Sequence, residues 1–183
     1  MSIPMAPLMP PLPDPALARR CADLSAVFDE VARTRMLGVP VVNPALTVQA
    51  LGFEPLPREA APEDGAPPPG PGLGVLITPW FMNLVCLPLQ RQLPSRPVGQ
   101  TRPRRLGPEG LSFDFMEAWH DRLGAYEVCS LFSPMFEFAD QAAACATAHE
   151  VLKVLRPAPP TPKPQALRPE APARRAFLFG RGT

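Results

Sequence analysis

The sequence predicts an α+β domain, a mostly antiparallel sheet of four or five strands with an N-terminal and a C-terminal helix packed on it. Three observations predict it. Apolar residues recur at helical spacing near both ends of a central region, at Leu17, Cys21, Leu24, Phe28 and Val31, and again at Ala144, Ala148, Val151, Leu152 and Leu155. Short apolar or alternating runs lie between them, the longest being LGVLITPWFMNLVCLP over 73–88. The 29 prolines of this 183-residue chain cluster at Pro4–Pro15, Pro55–Pro71 and Pro157–Pro172, and such segments lack the donors for helix or sheet. The clusters divide the chain into a mobile arm over 1–13, one domain over 14–155 and a basic tail over 156–183, with long loops at 54–72 and 88–110.

Each element has its own signal. Asp14 is placed to cap a helix whose first position suits Pro15, and Gly38 and Pro40 end it, so a helix is expected over 15–36 with its stripe covering a sheet. PALTVQALGF, 44–53, reads as a first strand. Leu73–Thr78 and Trp80–Leu87 read as two strand segments hinged at Pro79, apolar on both faces and therefore central or docking. Proline belongs at edges, strand starts and bulges, so Pro79 predicts a bend or an exposed edge. Pro88–Gly110 is expected to be an irregular basic connection. Leu111–Glu117 and Ala125–Phe132 form an antiparallel pair around Trp119–Gly124, with Phe113 and Phe115 opposed to Ser112 and Asp114 by the two-residue period. Ser133–Phe138 is a turn, and a last helix follows over Ala139–Leu155.

Composition narrows the function. Cys21, Cys86, Cys129 and Cys145 form no CxxC pair, which supports neither a zinc ribbon nor a dithiol motif. No metal or cofactor is expected. The N-terminus has no basic start for a secretory signal, and the apolar run over 73–88 falls short of the ~20 residues that span a bilayer. A cytoplasmic protein with reduced thiols and no stable membrane insertion is the expectation. Charge is uneven: Arg91, Arg96, Arg102, Arg104 and Arg105 meet no acid between 91 and 105, whereas 106–155 holds eight acids against Arg122 and Lys153 (2 − 8 = −6). That acidic stretch argues against nucleic acid as a partner of the domain, because phosphate needs a basic footprint.

Two motifs carry candidate contacts, each with a structural rival. Trp80, Phe81 and Met82 suit a groove for an apolar peptide, since aromatic and methionine side chains bury much area and adapt in shape. The same residues suit a core around a proline bend. Asn83 beside them is an amide in apolar company that must find partners. Phe132, Met135, Phe136 and Phe138 crowd one turn and cannot all point inward, so part of that turn is expected at the surface as a partner contact. Glu137 and Asp140 stand where the helix dipole favours carboxylates, or where client arginines would dock. His120 and His149 are isolated, and Ser130 and Ser133 lie in no nucleophile elbow.

GVLITPWFMNLV (74–85), CSLFSPMFEFADQ (129–141), the ATA of 146–148 and RRAFLFG (174–180) together resemble the [NiFe]-hydrogenase assembly chaperone family (HybE/HoxT-like), over about 43–155 and the last ten residues. The resemblance implies a non-enzymatic accessory protein for hydrogenase maturation. Its implied clients are a hydrogenase subunit precursor bearing a twin-arginine signal peptide and the assembling enzyme itself. Some relatives carry a rubredoxin domain with paired CxxC motifs. This chain carries none, which leaves room for a rubredoxin-like protein in trans. A thiol, redox or oxygen-protective factor working through Cys129 or Cys86 is the competing class. Finally, Arg174, Arg175, Phe177 and Leu178 reproduce the RR-x-F-L form of a twin-arginine signal with five residues after Leu178. The expectation is a pseudo-signal that occupies the client's site; its rival is a solvated basic tail.

Overall fold

A computed structural model describes residues 14–56 and 70–156. The arm over 1–13, the middle of the first long loop and the tail with its RRAFLFG lie outside the described residues. The elements run α1 (Pro15–Thr34), β1 (Gln49–Pro55), β2 (Gly72–Ile77), β3 (Met82–Leu87), β4 (Thr101–Leu106), β5 (Leu111–His120), β6 (Gly124–Phe132) and α2 (Gln141–Leu155). The six strands make one sheet in the order β1-β2-β3-β6-β5-β4, with every neighbouring pair antiparallel. The α+β class stands, with six strands in place of four or five.

Each helix covers one face of the sheet. In β2 and β3 the alternate residues Val75, Ile77, Met82, Leu84 and Cys86 turn toward α2 and pack with Ala144, Ala148, Leu152 and Leu155. Leu76, Val85 and Leu87 turn the other way, toward Leu24 and Val27 of α1. This is why the run over 73–88 is apolar on both faces. Small residues also set the approach of the layers: a Cβ at Gly72 would collide with Leu17 of α1, and one at Gly74 with the Phe53 ring.

Five local expectations are corrected. Pro79 is not a hinge within a strand. It lies in the hairpin loop Thr78–Phe81, which joins β2 to β3 where Ile77 pairs with Met82. The first strand starts at Gln49, because Asn43 to Leu46 make a turn closed by the Leu46 amide on the Asn43 carbonyl at 3.2 Å. The irregular basic connection contains β4, whose Pro103 is tolerated on an edge strand paired on one side only. The inner face of α1 is Leu17, Arg20, Leu24 and Val27, with Cys21 and Phe28 at its margin. Arg20 can be buried there because Nε donates to the Pro88 carbonyl at 2.9 Å and Nη2 to that of Leu123 at 2.7 Å. The first cap is as expected: Asp14 accepts from the Ala16 amide at 2.8 Å. The last helix starts at Gln141, not Ala139, and Asp140 is its cap, accepting from the Ala143 amide at 2.8 Å.

Candidate functional site: an aromatic surface joined by Asn43

The two aromatic motifs are brought together at the start of β3 and the end of β6, where Met82 pairs with Phe132. In the hairpin loop the Thr78 hydroxyl accepts from the amides of Trp80 (3.3 Å) and Phe81 (3.0 Å), which fixes its shape. Phe81 stands edge-on to Phe28 of α1 and to Trp80, with ring centroids 5.6 Å apart in each pair. In the second motif Phe132 and Phe138 meet edge-on at 5.1 Å.

Asn43, which sequence reasoning passed over, joins the two. Its amide N–H donates to the Pro79 carbonyl at 2.8 Å. Its buried Nδ2 donates to the carbonyls of Met135 (3.0 Å) and Phe138 (2.8 Å), while Oδ1 accepts from the Ala45 amide (3.0 Å). One residue thus ties the loop before β3, through its backbone amide, to the turn before α2, through its side chain. The Ser133 hydroxyl adds a contact to the Trp80 carbonyl at 3.4 Å. The available signal was an Asn two residues before Ala45, the spacing of a side-chain-closed turn. Its distant partners carry no local signal.

The candidates separate by burial. Met82 and Met135 are wholly enclosed and Phe138 is nearly so, so none of them meets a client in this conformation. Trp80, Phe81 and Phe132 are half-buried. Phe136 is 60 % exposed, beside exposed Glu137. Asp140 is exposed but serves α2 as its cap. Asn83 is half-buried in β3, and its buried Oδ1 has no partner among the described residues.

A second cluster sits at the opposite end of β3 and β6. Glu127 of β6 accepts from Arg96, Arg102 and Arg104, and Glu117 of β5 from Arg96 at 2.8 Å and from the Ser95 amide at 3.2 Å. Burial alone would raise the Glu127 carboxyl. Hydrogen bonds from Arg102, Arg96 and Arg104 outweigh it and hold the carboxyl at about 2. The basic run and part of the acidic run are therefore sheet partners that neutralise each other. Two of the eight acids of 106–155, Glu117 and Glu127, are thus paired with the chain's own arginines. Beside them lies an open cleft of about 460 Å³ with Cys86 in its wall.

The thiols are chemically quiet. Burial pushes Cys86 up to about 11 and raises Cys129 as well, with Asp114 adding to the latter. Both are neutral thiols near pH 7, whereas nucleophilic cysteines need the opposite shift. Among the described residues no group of three His, Cys, Asp or Glu side chains is placed to hold a metal ion.

The fold is similar to that of the solution structure of HybE from Escherichia coli. The match has a TM-score of 0.53 at 27% identity, covering 90% of this chain and 91% of that one. The chain belongs to the family described as [NiFe]-hydrogenase assembly, chaperone, HybE, whose model matches residues 19–180. It is 47% identical over 169 residues to Protein HoxT of Cupriavidus necator, covering 88% of this chain and 89% of HoxT. It is also 35% identical over 129 residues to Probable rubredoxin HupJ of Rhodobacter capsulatus, covering 70% of this chain and 42% of HupJ. By family, then, this is a hydrogenase assembly chaperone.

Proposed function

We propose that the chain captures a [NiFe]-hydrogenase subunit precursor in the cytoplasm, before twin-arginine export, and holds it without catalysing a reaction. The client is the signal-bearing small subunit, the assembling enzyme or both. The observation that carries this reading is Phe136, a large apolar side chain held 60 % exposed on a turn whose other apolar residues, Met135 and Phe138, are buried. An aromatic anchor on a firmly tied turn loses little freedom on binding. Half-buried Trp80 extends the surface, and Glu137 supplies a carboxylate for a client's arginines. Among the described residues no helix is long and apolar enough to cross a membrane.

The test is a titration of the protein with a peptide carrying the twin-arginine signal and with the precursor lacking it. Phe136→Ala and Glu137→Lys are each expected to weaken capture about tenfold. Their urea midpoints should stay within about 0.5 kcal/mol of the parent, as befits surface sites. Unchanged affinity in both variants would return these residues to a purely structural role.

The tail belongs to the same reading. Arg174, Arg175, Phe177 and Leu178 would occupy the client surface when no client is present. A chain ending at Arg156 is then expected to bind the signal peptide more tightly than the full chain at matched salt, and equal or weaker binding would dismiss the pseudo-signal. The rubredoxin-like partner in trans is proposed on the printed name of HupJ, of which this chain spans less than half. The raised thiols of Cys86 and Cys129 weigh against the competing redox reading.

A further inference from the structure

We infer that the arginine-lined cleft is a binding site for a carboxylate, presented by a small organic acid or by an acidic side chain of a peptide. It is separate from the aromatic surface. β3 and β6 run between them, and the five steps from Met82 to Leu87 set the two ends about 17 Å apart at ~3.4 Å per residue.

Layering is the first argument. The side chains of Glu117 and Glu127 are only 3 % and 8 % exposed, whereas those of Arg96, Arg104 and Arg102 are 18 %, 26 % and 43 % exposed. Arg102 and Arg104 line the cleft together with Glu117 and Glu127, and their side chains are the more exposed. Charge is the second. Arg96 pairs with both glutamates without lining the cleft, and with it the cluster holds three guanidiniums against two carboxylates, 3 − 2 = +1. A monoanion balances that charge, while a phosphate dianion would leave negative charge beside two buried glutamates.

Occupancy is the third argument. Glu127 accepts five hydrogen bonds, from Arg96 Nη2, from Nε and Nη2 of Arg102, and from Nε and Nη2 of Arg104. A carboxylate has about four lone-pair sites, so no acceptor capacity is left for a cation. Donor capacity is in excess: each guanidinium has five N–H groups, of which Arg102 and Arg104 each spend two on Glu127. The planar fork matches carboxylate geometry. The walls are mixed, with Cys86, Leu89 and Tyr126 offering apolar surface to the carbon body of such a ligand. The volume, about 460 Å³, lies within the range of small-ligand sites, roughly 300–1,000 Å³.

The test is an amide chemical-shift titration of the full chain with butyrate and, separately, with a capped peptide holding one glutamate and its glutamine counterpart, all at matched ionic strength. Saturable shifts at Cys86, Arg102, Arg104 and Tyr126 are expected with butyrate, with the glutamate peptide or with both. Butyrate alone would point to a small acid, and the glutamate peptide alone to a protein segment. Arg102→Gln, at the most exposed of the three arginines, is expected to weaken binding at least tenfold while the protein keeps a cooperative melting transition. If that variant loses its folded spectrum, Arg104→Gln serves the same comparison. No saturation by either probe, equal shifts from the glutamine peptide, or undiminished binding in a folded arginine variant would each overturn the inference. None of the probes is a hydrogenase client, so the outcome is independent of the Phe136 surface.

Discussion

Glu127→Gln is expected to cost about 3 kcal/mol of folding stability at pH 7, the scale for removing one partner of a buried ion pair. The carboxylate receives three arginines, and the neutral amide would leave their guanidiniums facing one another with Glu117 as the remaining counter-charge. The effect depends on pH in a defined direction. The folded-state carboxyl titrates at about 2 against an ordinary value of 4.5. A depressed carboxyl stabilises fully above its unfolded value and loses that contribution as pH falls toward its folded one. The difference between parent and variant should therefore be flat above about pH 5 and shrink between 4.5 and 2. Urea midpoints at several pH values measure it. A difference independent of pH would mean that Glu127 stabilises by shape rather than by charge.

Asn43→Ala is expected to cost about 3 kcal/mol and to weaken client capture as well. The substitution takes the Asn43 donor from two buried carbonyls; that of Met135 keeps the Phe138 amide at 3.2 Å, while that of Phe138 loses its side-chain partner, and a buried acceptor so stripped costs about 1–3 kcal/mol. It also cuts the tie between the turn bearing Phe136 and the loop bearing Trp80. The folded fraction of this variant should bind the signal peptide more weakly than Phe136→Ala does, because a loosened turn must be ordered again on binding. Denaturant unfolding and peptide titration on the same sample separate the two effects. Parental affinity in the folded fraction would show that the turn keeps its shape without Asn43.

Much of the fold was legible because it is written at short range. The cap Asp14, the stripe of α2 and the alternation in β5 are local patterns, and each appears where periodicity places it. What was not legible is settled by partners distant in sequence. The TRPRRL of β4 lacks the apolar alternation of a buried strand. It becomes one only because β5 pairs with it and Glu127 gathers its arginines. The helical stripe was shifted toward Arg20, whose burial depends on carbonyls at 88 and 123. In the candidate site the aromatic residues were visible in the sequence, but their division was not. Met82 goes inside by the alternation of β3, whereas Met135 is enclosed and Phe136 exposed on a turn whose two carbonyls are held by Asn43, more than 90 positions away.

Pro103 on the outermost strand has a consequence beyond its own tolerance. A sheet edge is a template on which another chain can grow, and a row of free amides is what recruits it. At β4 the proline nitrogen has no hydrogen to offer, and exposed Arg105 adds like-charge repulsion between copies. On the function proposed above, a chaperone displaying Phe136 to unfinished proteins carries an intrinsic risk of coaggregating with them. The blunted edge lets it keep a sticky surface at one place without offering the backbone itself as a seed.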